Sequence, residues 1–424
     1  MYILKENSLS NNINESVKRN TIWLFIYNIA KIVFPIVTLP YLTRVLSTDS
    51  YGVIAYVKTV MTYMQIFVDF GFILSGTKEI VKALSKKNNN KIGYIVGELM
   101  LSRIILGFVG FIILIILSFL LPILKNNILY LCLSYFVVFE SIFMMDFLFR
   151  GFEKMDIIAK RFVVMKLIST ILTFILIKND SDLLLVPFLD IISSTIALIT
   201  VFYEYKKLKI KLKISNFSNI FNNIKESAVY FLSTAATTSF NAFGTIIIGI
   251  LLNNTQVAFW GVCMQIIGTI QALYNPICDG IYPEMLKSKN LVLLKKVFKI
   301  FFPIVLLGSL CCYLFAPFGM YILGGNSYLD AVPIFRLLIP CLIFSFPSIL
   351  LGWPTLGAIE MQHIVTRTTI ISLIFNIVFL LLLIPINKFS LINIALVRTI
   401  TELIMLICRI FYFIKYKDKF KSCI

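Results

Sequence analysis

The sequence predicts an all-α polytopic membrane protein of about twelve transmembrane helices in two six-helix lobes. Three observations carry this. The 424 residues are 59% hydrophobic and only 14% charged, against about 45–50% and about 25% in soluble domains. Apolar runs of spanning length recur along the whole chain. Lys and Arg are dense in alternate connections and sparse in the others.

In chain order the spans fall near 21–43, 52–74, 94–121, 128–149, 158–177 and 183–205, then 228–252, 257–280, 299–322, 332–352, 367–386 and 390–414. In the first, Asn28 and Lys31 precede Pro35 and Pro40, which bend the helix. In the second, Lys58, Thr62, Gln65 and Asp69 form one polar stripe at helical spacing. The fifth carries Lys166, Ser169, Thr170 and Thr173; the seventh Thr234, Thr238, Asn241 and Thr245; the eighth Gln265, Asn275 and Asp279. The longest non-apolar stretches, 206–227 and 281–298, are too short for a separate soluble domain.

With the N-terminus placed in the cytoplasm, the inward segments hold 29 of the 39 Lys and Arg, including Lys78, Lys82, Lys86, Lys87 and Lys91. The outward loops hold Arg44, Lys125, Lys178 and Lys388. The positive-inside rule then puts both termini in the cytoplasm, and the net charge of +18 reflects topology and anionic-lipid contact rather than nucleic acid binding. Lys5, Glu6, Glu15, Lys18 and Arg19 precede a full-length span, so no cleaved signal peptide is expected. The scattered cysteines give no disulfide framework or CxxC site, and His363 is the single histidine. No metal, no resident cofactor and no Walker-type ATP site is expected.

The two halves repeat. At an offset of 206, Leu46 falls on Leu252 and Asp69 on Asn275, with a basic connection closing the second segment of each. The expected lobes are residues 1–214, including an inter-lobe linker, and residues 215–424. Repeats of this kind place transporter sites at their interface.

Eleven charges are read as intramembrane, the others within these bounds being assigned to span ends: Lys31, Lys58, Arg103, Lys166, Arg336, Arg398, Asp69, Glu140, Asp146, Asp190 and Glu402. Each costs about 2.5–3.5 kcal/mol near the bilayer centre unless it faces a cavity or a partner. Structural alternatives exist for several. Arg398 and Glu402 are one turn apart, Asp146 sits four residues before Arg150, and Arg336 and Arg103 are within snorkelling reach of an interface. Lys31, Lys58 and Asp69 are far from both ends of their spans.

The segments Tyr41 to Leu46, Tyr51 to Tyr56, Asp69 to Phe72 and Gly71 to Lys82, with Thr401-Glu402-Leu403-Ile404 in the last span, resemble Wzx-type polysaccharide flippases. The small-residue run usual before the last span of that family is here Asn393-Ile394-Ala395. The resemblance implies a fold of the multidrug/oligosaccharidyl-lipid/polysaccharide (MOP) exporter type, similar to MATE transporters, working by alternating access without catalysis. The implied cargo is an undecaprenyl-pyrophosphate-linked oligosaccharide, flipped to the outer leaflet of the bacterial plasma membrane for surface polysaccharide or O-antigen synthesis. Membrane lipids, a polysaccharide polymerase and chain-length proteins are the implied partners of a monomer.

Lys31, Arg44, Lys58, Arg103, Lys166 and Arg398 suit the pyrophosphate. Tyr27, Asn28, Gln65, Asn241, Gln265 and Tyr274 suit sugar hydroxyls, and Asp69, Glu140 and Glu402 are candidates for H⁺ or Na⁺ coupling. Alternatives are a cation antiporter, which would favour an acidic cavity, a lipid II flippase, which usually has more spans, and a membrane polysaccharide polymerase, which needs a large outward loop.

Overall fold

The computed structural model describes residues 2–86, 88–214 and 217–420, with side chains from Arg19 onward except at 217–220. Lys87 of the first basic cluster, the side chains of Lys5, Glu6, Glu15 and Lys18, and Ser215 and Asn216 of the expected linker lie outside the described residues.

The described chain is built of helices: α1 (Tyr2–Val45), α2 (Thr48–Asp69), α3 (Phe72–Ser85), α4 (Asn89–Leu120), α5 (Pro122–Asn126), α6 (Ile128–Ser141), α7 (Asp146–Gly151), α8 (Met155–Leu176), α9 (Leu185–Lys207), α10 (Phe217–Leu251), α11 (Asn254–Ala272), α12 (Asn275–Ser288), α13 (Leu291–Leu314), α14 (Ala316–Gly324), α15 (Val332–Leu350), α16 (Gln362–Leu382) and α17 (Leu391–Lys415). Eleven helical segments are long and apolar enough to cross a membrane. The expected fifth span, α8, is not among them: its 22 residues are of spanning length but carry Lys160, Arg161 and Lys166.

Several expected loops are helical. Lys78 and Lys82 lie on α3, and most of 281–298 belongs to α12 and α13. Charged helix ends continue past the apolar windows because intrahelical bonding satisfies the backbone in water as well as in lipid.

Four spans are interrupted. The second breaks at Phe70 and Gly71, both with positive φ, and the eighth at 273–274, between α11 and α12. The fourth breaks at Ile142–Met144, where Met145 has φ 50°, and the tenth runs into a π-turn at Leu351–Leu356 with Gly352 at ψ −115°. At the offset of 206, the break at 70–71 falls on 276–277, three residues from that at 273–274, and Met145 falls on Leu351, so the breaks recur within a few residues.

By contact the chain forms two compact units: Met1–Thr38 with Val60–Ala235, and Leu39–Thr59 with Ala236–Ile424. This division cuts through α1, α2 and α10, so it differs from the repeat boundary at 214/215. In the first unit, Phe72, Ile80, Val96, Leu99, Phe147 and Ile158 anchor the core. In the second, Met285, Phe346, Leu356 and Val365 do so.

The first stretch of the expected linker is packed against α4. Lys213 N–H donates to the Gly93 carbonyl at 3.2 Å. A Cβ on Gly93 would lie 2.2 Å from the Lys211 carbonyl oxygen, and one on Gly97 would lie 2.2 Å from that of Lys213. The Gly93-Tyr-Ile-Val-Gly97 spacing therefore makes a backbone-wide groove for residues 211–213. Gly97→Leu is expected to cost about 1–3 kcal/mol through overpacking and to speed tryptic cleavage at Lys211 and Lys213. An unchanged cleavage rate in purified protein would contradict this packing.

Candidate functional site

In the first unit, the break in the fourth span frees backbone carbonyls at membrane depth, where each unpaired group is costly. Two arginines take them. Arg103 on α4 donates to the Ile142 carbonyl at 3.0 Å and the Ser141 carbonyl at 3.2 Å, and pairs with Asp69 at the end of α2. Gln65 completes this group, donating to Asp69 at 3.0 Å and to the Ser141 hydroxyl at 2.9 Å. Arg161 on α8 donates to the Met144 carbonyl at 2.6 Å and pairs with Asp146. The Asp146–Arg150 pairing expected from spacing is thus corrected: α7 begins afresh after the break, and Asp146 meets Arg161 instead.

A second polar patch of this unit lies on α1, α8 and α9. Tyr27 and Phe162 meet edge-to-face at 4.9 Å, and the exposed Lys31 ammonium sits 4.5 Å from the Tyr27 ring centre. Lys160 lies over Trp23 at 5.0 Å, one turn earlier on α1, so α1 and α8 run in the same direction. Lys31 and Lys166 each lie one turn beyond the Tyr27–Phe162 contact, at matching heights on the two helices. Asn28, beside them on α1, is exposed. Lys166 is 3.4 Å from Asp190 on α9, which also accepts from Ser169 at 2.8 Å. Both members of that pair are about one-third exposed (35% each), so water screens the attraction. Glu140 is buried on α6 and accepts from the Ser194 and Thr195 hydroxyls.

In the second unit, buried Arg398 and Glu402 stand 2.9 Å apart, one turn from each other on α17. Arg398 also donates to Asn241 at 3.1 Å and lies 4.1 Å from the Phe240 ring centre. Toward the C-terminal end of α17, buried Arg409 donates to the Ser348 carbonyl at 2.7 Å and its hydroxyl at 3.1 Å, beside the π-turn of the tenth span. It reaches Thr369 at 3.2 Å as well. Lys58 and Arg44 are exposed, with Arg44 3.5 Å from the Tyr321 carbonyl. Gln265 donates to Thr269 at 3.4 Å. Tyr274 is buried, its hydroxyl 3.3 Å from the Leu342 carbonyl and its ring against Phe346. Arg336 donates to the Tyr313 carbonyl at 3.3 Å and lies over that ring.

The expected residues therefore separate by environment. Arg103, Arg398, Asp69, Glu402, Gln65 and Tyr274 are held in buried or partly buried bonds within their units. Lys31, Asn28, Lys58 and Arg44 are exposed, and Lys166 is half-buried. Sequence reasoning missed Arg161 and Arg409, which it placed with the inward basic residues because they lie near span ends. Their signal was the proximity of each to an interrupted span, visible only once the breaks were located. Among the described residues, no group of three or more His, Cys, Asp or Glu is arranged to hold a metal.

Residues 17–289 match the family model described as polysaccharide biosynthesis protein. The chain belongs to this family. It is 28% identical over 278 residues to a Shigella dysenteriae protein named "Putative O-antigen transporter", a match covering 65% of this chain and 68% of the relative. A protein of the same name in Escherichia coli K12 is 27% identical over 291 residues, covering 66% and 69%. Among solved structures, an inward-facing multidrug resistance MATE family transporter of the MOP superfamily aligns with TM-score 0.73 and 15% identity over 94% of this chain and 96% of that one. A MOP superfamily transporter from Pyrococcus furiosus, described as having a binding pocket of reverse polarity, aligns with TM-score 0.56 and 16% identity over 94% and 96%. The polysaccharide biosynthesis family member thus has the MOP fold over nearly its whole length.

The Arg103–Asp69 pair gives a direct test. Arg103→Leu leaves Asp69 and two carbonyls uncompensated and is expected to cost about 3–5 kcal/mol. The Arg103→Leu/Asp69→Leu double variant should lose less than the sum of the two single losses. Thermal melting of the four proteins in one detergent reads this, and additive losses would show that the pair is uncoupled.

Proposed function

We propose that this protein flips an undecaprenyl-pyrophosphate-linked oligosaccharide from the inner to the outer leaflet of the bacterial plasma membrane, supplying O-antigen or a related surface polysaccharide. The observation that carries the proposal is the sign of the exposed charge at membrane depth. Lys31 and Lys58 expose positive charge well inside their spans, Lys58 with a partner of its own. The five acids read as intramembrane are each held by a cation or by hydroxyls, and the exposed Asp279 lies beyond the break in the eighth span. Asp69 is held by Arg103, Asp146 by Arg161, Asp190 by Lys166 and Ser169, Glu402 by Arg398, and Glu140 by two hydroxyls.

Two lysines facing hydrocarbon would cost about 5–7 kcal/mol together. Lys31 is about 18 Å from either end of its span, beyond snorkelling reach. An aqueous path used by an anion accounts for that position, and the lysine ammonium is a suitable point charge for pyrophosphate. A cation-exporting antiporter would need open carboxylates instead. The names of the relatives support transport rather than catalysis.

For coupling, Asp69 and Glu402 are committed to arginines, so we assign the role to Glu140, whose bonds to Ser194 and Thr195 involve no cation. Protonation of Glu140 would exchange an acceptor for a donor without stranding a partner charge. The dense basic connections support placing both termini in the cytoplasm.

Complementation of a flippase-null host with a matching repeat unit tests the proposal. Wild type should restore surface polysaccharide, while well-inserted Lys31→Ala and Lys58→Ala should each reduce it at least severalfold. Normal polymer in both variants would remove the anion-path reading. Glu140→Gln preserves shape and should support binding but not turnover driven by a proton or sodium gradient. Wild-type gradient dependence in Glu140→Gln proteoliposomes would move coupling elsewhere.

A further inference from the structure

One cavity of the first unit has no part in the path just described. It encloses about 480 Å³ where the Arg19 region of α1 and the start of α8 meet the end of α9, and its lining includes Arg19, Lys154, Lys160, Asp156, Tyr203 and Glu204. These residues lie at or near the ends of three apolar spans expected on the same side, so the cavity sits at the face read as cytoplasmic. Arg161 reaches it too, but is spent on Asp146 and the Met144 carbonyl. Asp156 is neutralised by Lys160 at 3.3 Å and Glu204 by Lys207 at 2.6 Å. Arg19 and Lys154 have no carboxylate partner among the described residues, and the described lining carries four basic side chains against two acidic ones.

The surroundings specify the ligand further. Trp23 lies under Lys160 at the edge of the cavity, in the manner of an interfacial aromatic. From the rim, Val164, Leu167 and Ile171 form an exposed apolar stripe along α8, and Ile196, Ile199 and Tyr203 form one along α9. These stripes would lie beside acyl or prenyl chains, with the basic cavity at headgroup depth. A soluble phosphate would use the charges but not the stripes.

We propose that this cavity binds the phosphate headgroup of a lipid in the inner leaflet, with Arg19 and Lys154 as its charge partners and the lipid chains along α8 and α9. The lining does not include Lys31 or Lys166, and the site does not rest on the transport reading. Two lipids carry the required chemistry: the bulk anionic phospholipid and a polyprenyl phosphate carrier.

Native mass spectrometry of the full-length protein, offered equal phosphatidylglycerol and phosphatidylcholine, reads the site. Wild type should retain phosphatidylglycerol selectively, and Arg19→Gln/Lys154→Gln should lose retention roughly ten- to thirtyfold. Each single variant should lose part of it, which keeps the test valid if the double variant is poorly folded. Brominated phosphatidylglycerol should quench a fluorescence component that Trp23→Phe removes. Displacement of the bound phospholipid by undecaprenyl pyrophosphate would support the site and identify the carrier as its occupant. Displacement by soluble inorganic pyrophosphate at equal concentration would overturn the lipid assignment. Unchanged selectivity in the double and both single variants would overturn the site itself.

Discussion

Pairing freed backbone carbonyls inside the membrane is the constraint on which the rest of this structure depends. A helix that breaks at membrane depth exposes carbonyls that hydrocarbon cannot satisfy, and each costs several kcal/mol if left unpaired. Here the fourth span breaks at Ile142–Met144 and the tenth gives way to a π-turn at Leu351–Leu356. Arg103 and Arg161 take the carbonyls of the first break, and Arg409 takes the Ser348 carbonyl at the second. Guanidinium groups suit this work because their planar fork serves several acceptors at once.

That use of arginine fixes how the remaining charges are spent. Arg103 and Arg161 bring Asp69 and Asp146 with them as counter-charges, and Arg398 holds Glu402. Most intramembrane acids are thereby consumed in structure. Far from the span ends, exposed charge is carried by Lys31 and Lys58, and an ammonium on a flexible stem suits a moving anion better than a planar guanidinium fork does. The division of labour between arginine and lysine links the architecture to the proposed cargo.

Much of the architecture was legible in the sequence. The spans followed from apolar run length, eleven of them being helices long and apolar enough to cross a membrane. The i,i+4 pairing of Arg398 with Glu402 was visible as spacing on one helix. The partners of Arg103 and Asp146 were not, because they lie on other helices across breaks that hydropathy does not mark. Phe70 and Met145, with positive φ, carry no glycine or proline to announce the interruption at their own positions. Helical continuation beyond the bilayer, as in α3 and α12, was also hidden, because hydropathy reports where lipid ends rather than where a helix does.

The central claim is that exposed lysines at membrane depth handle an anionic lipid headgroup. The most direct measurement is binding of a pyrophosphate-linked polyprenyl oligosaccharide to purified protein in nanodiscs, beside the same lipid with an uncharged head. The account predicts preference for the pyrophosphate form, weakened by salt and lost in Lys31→Gln/Lys58→Gln while melting is unchanged. Equal binding of the charged and uncharged lipids, or full affinity in the lysine variant, would contradict it.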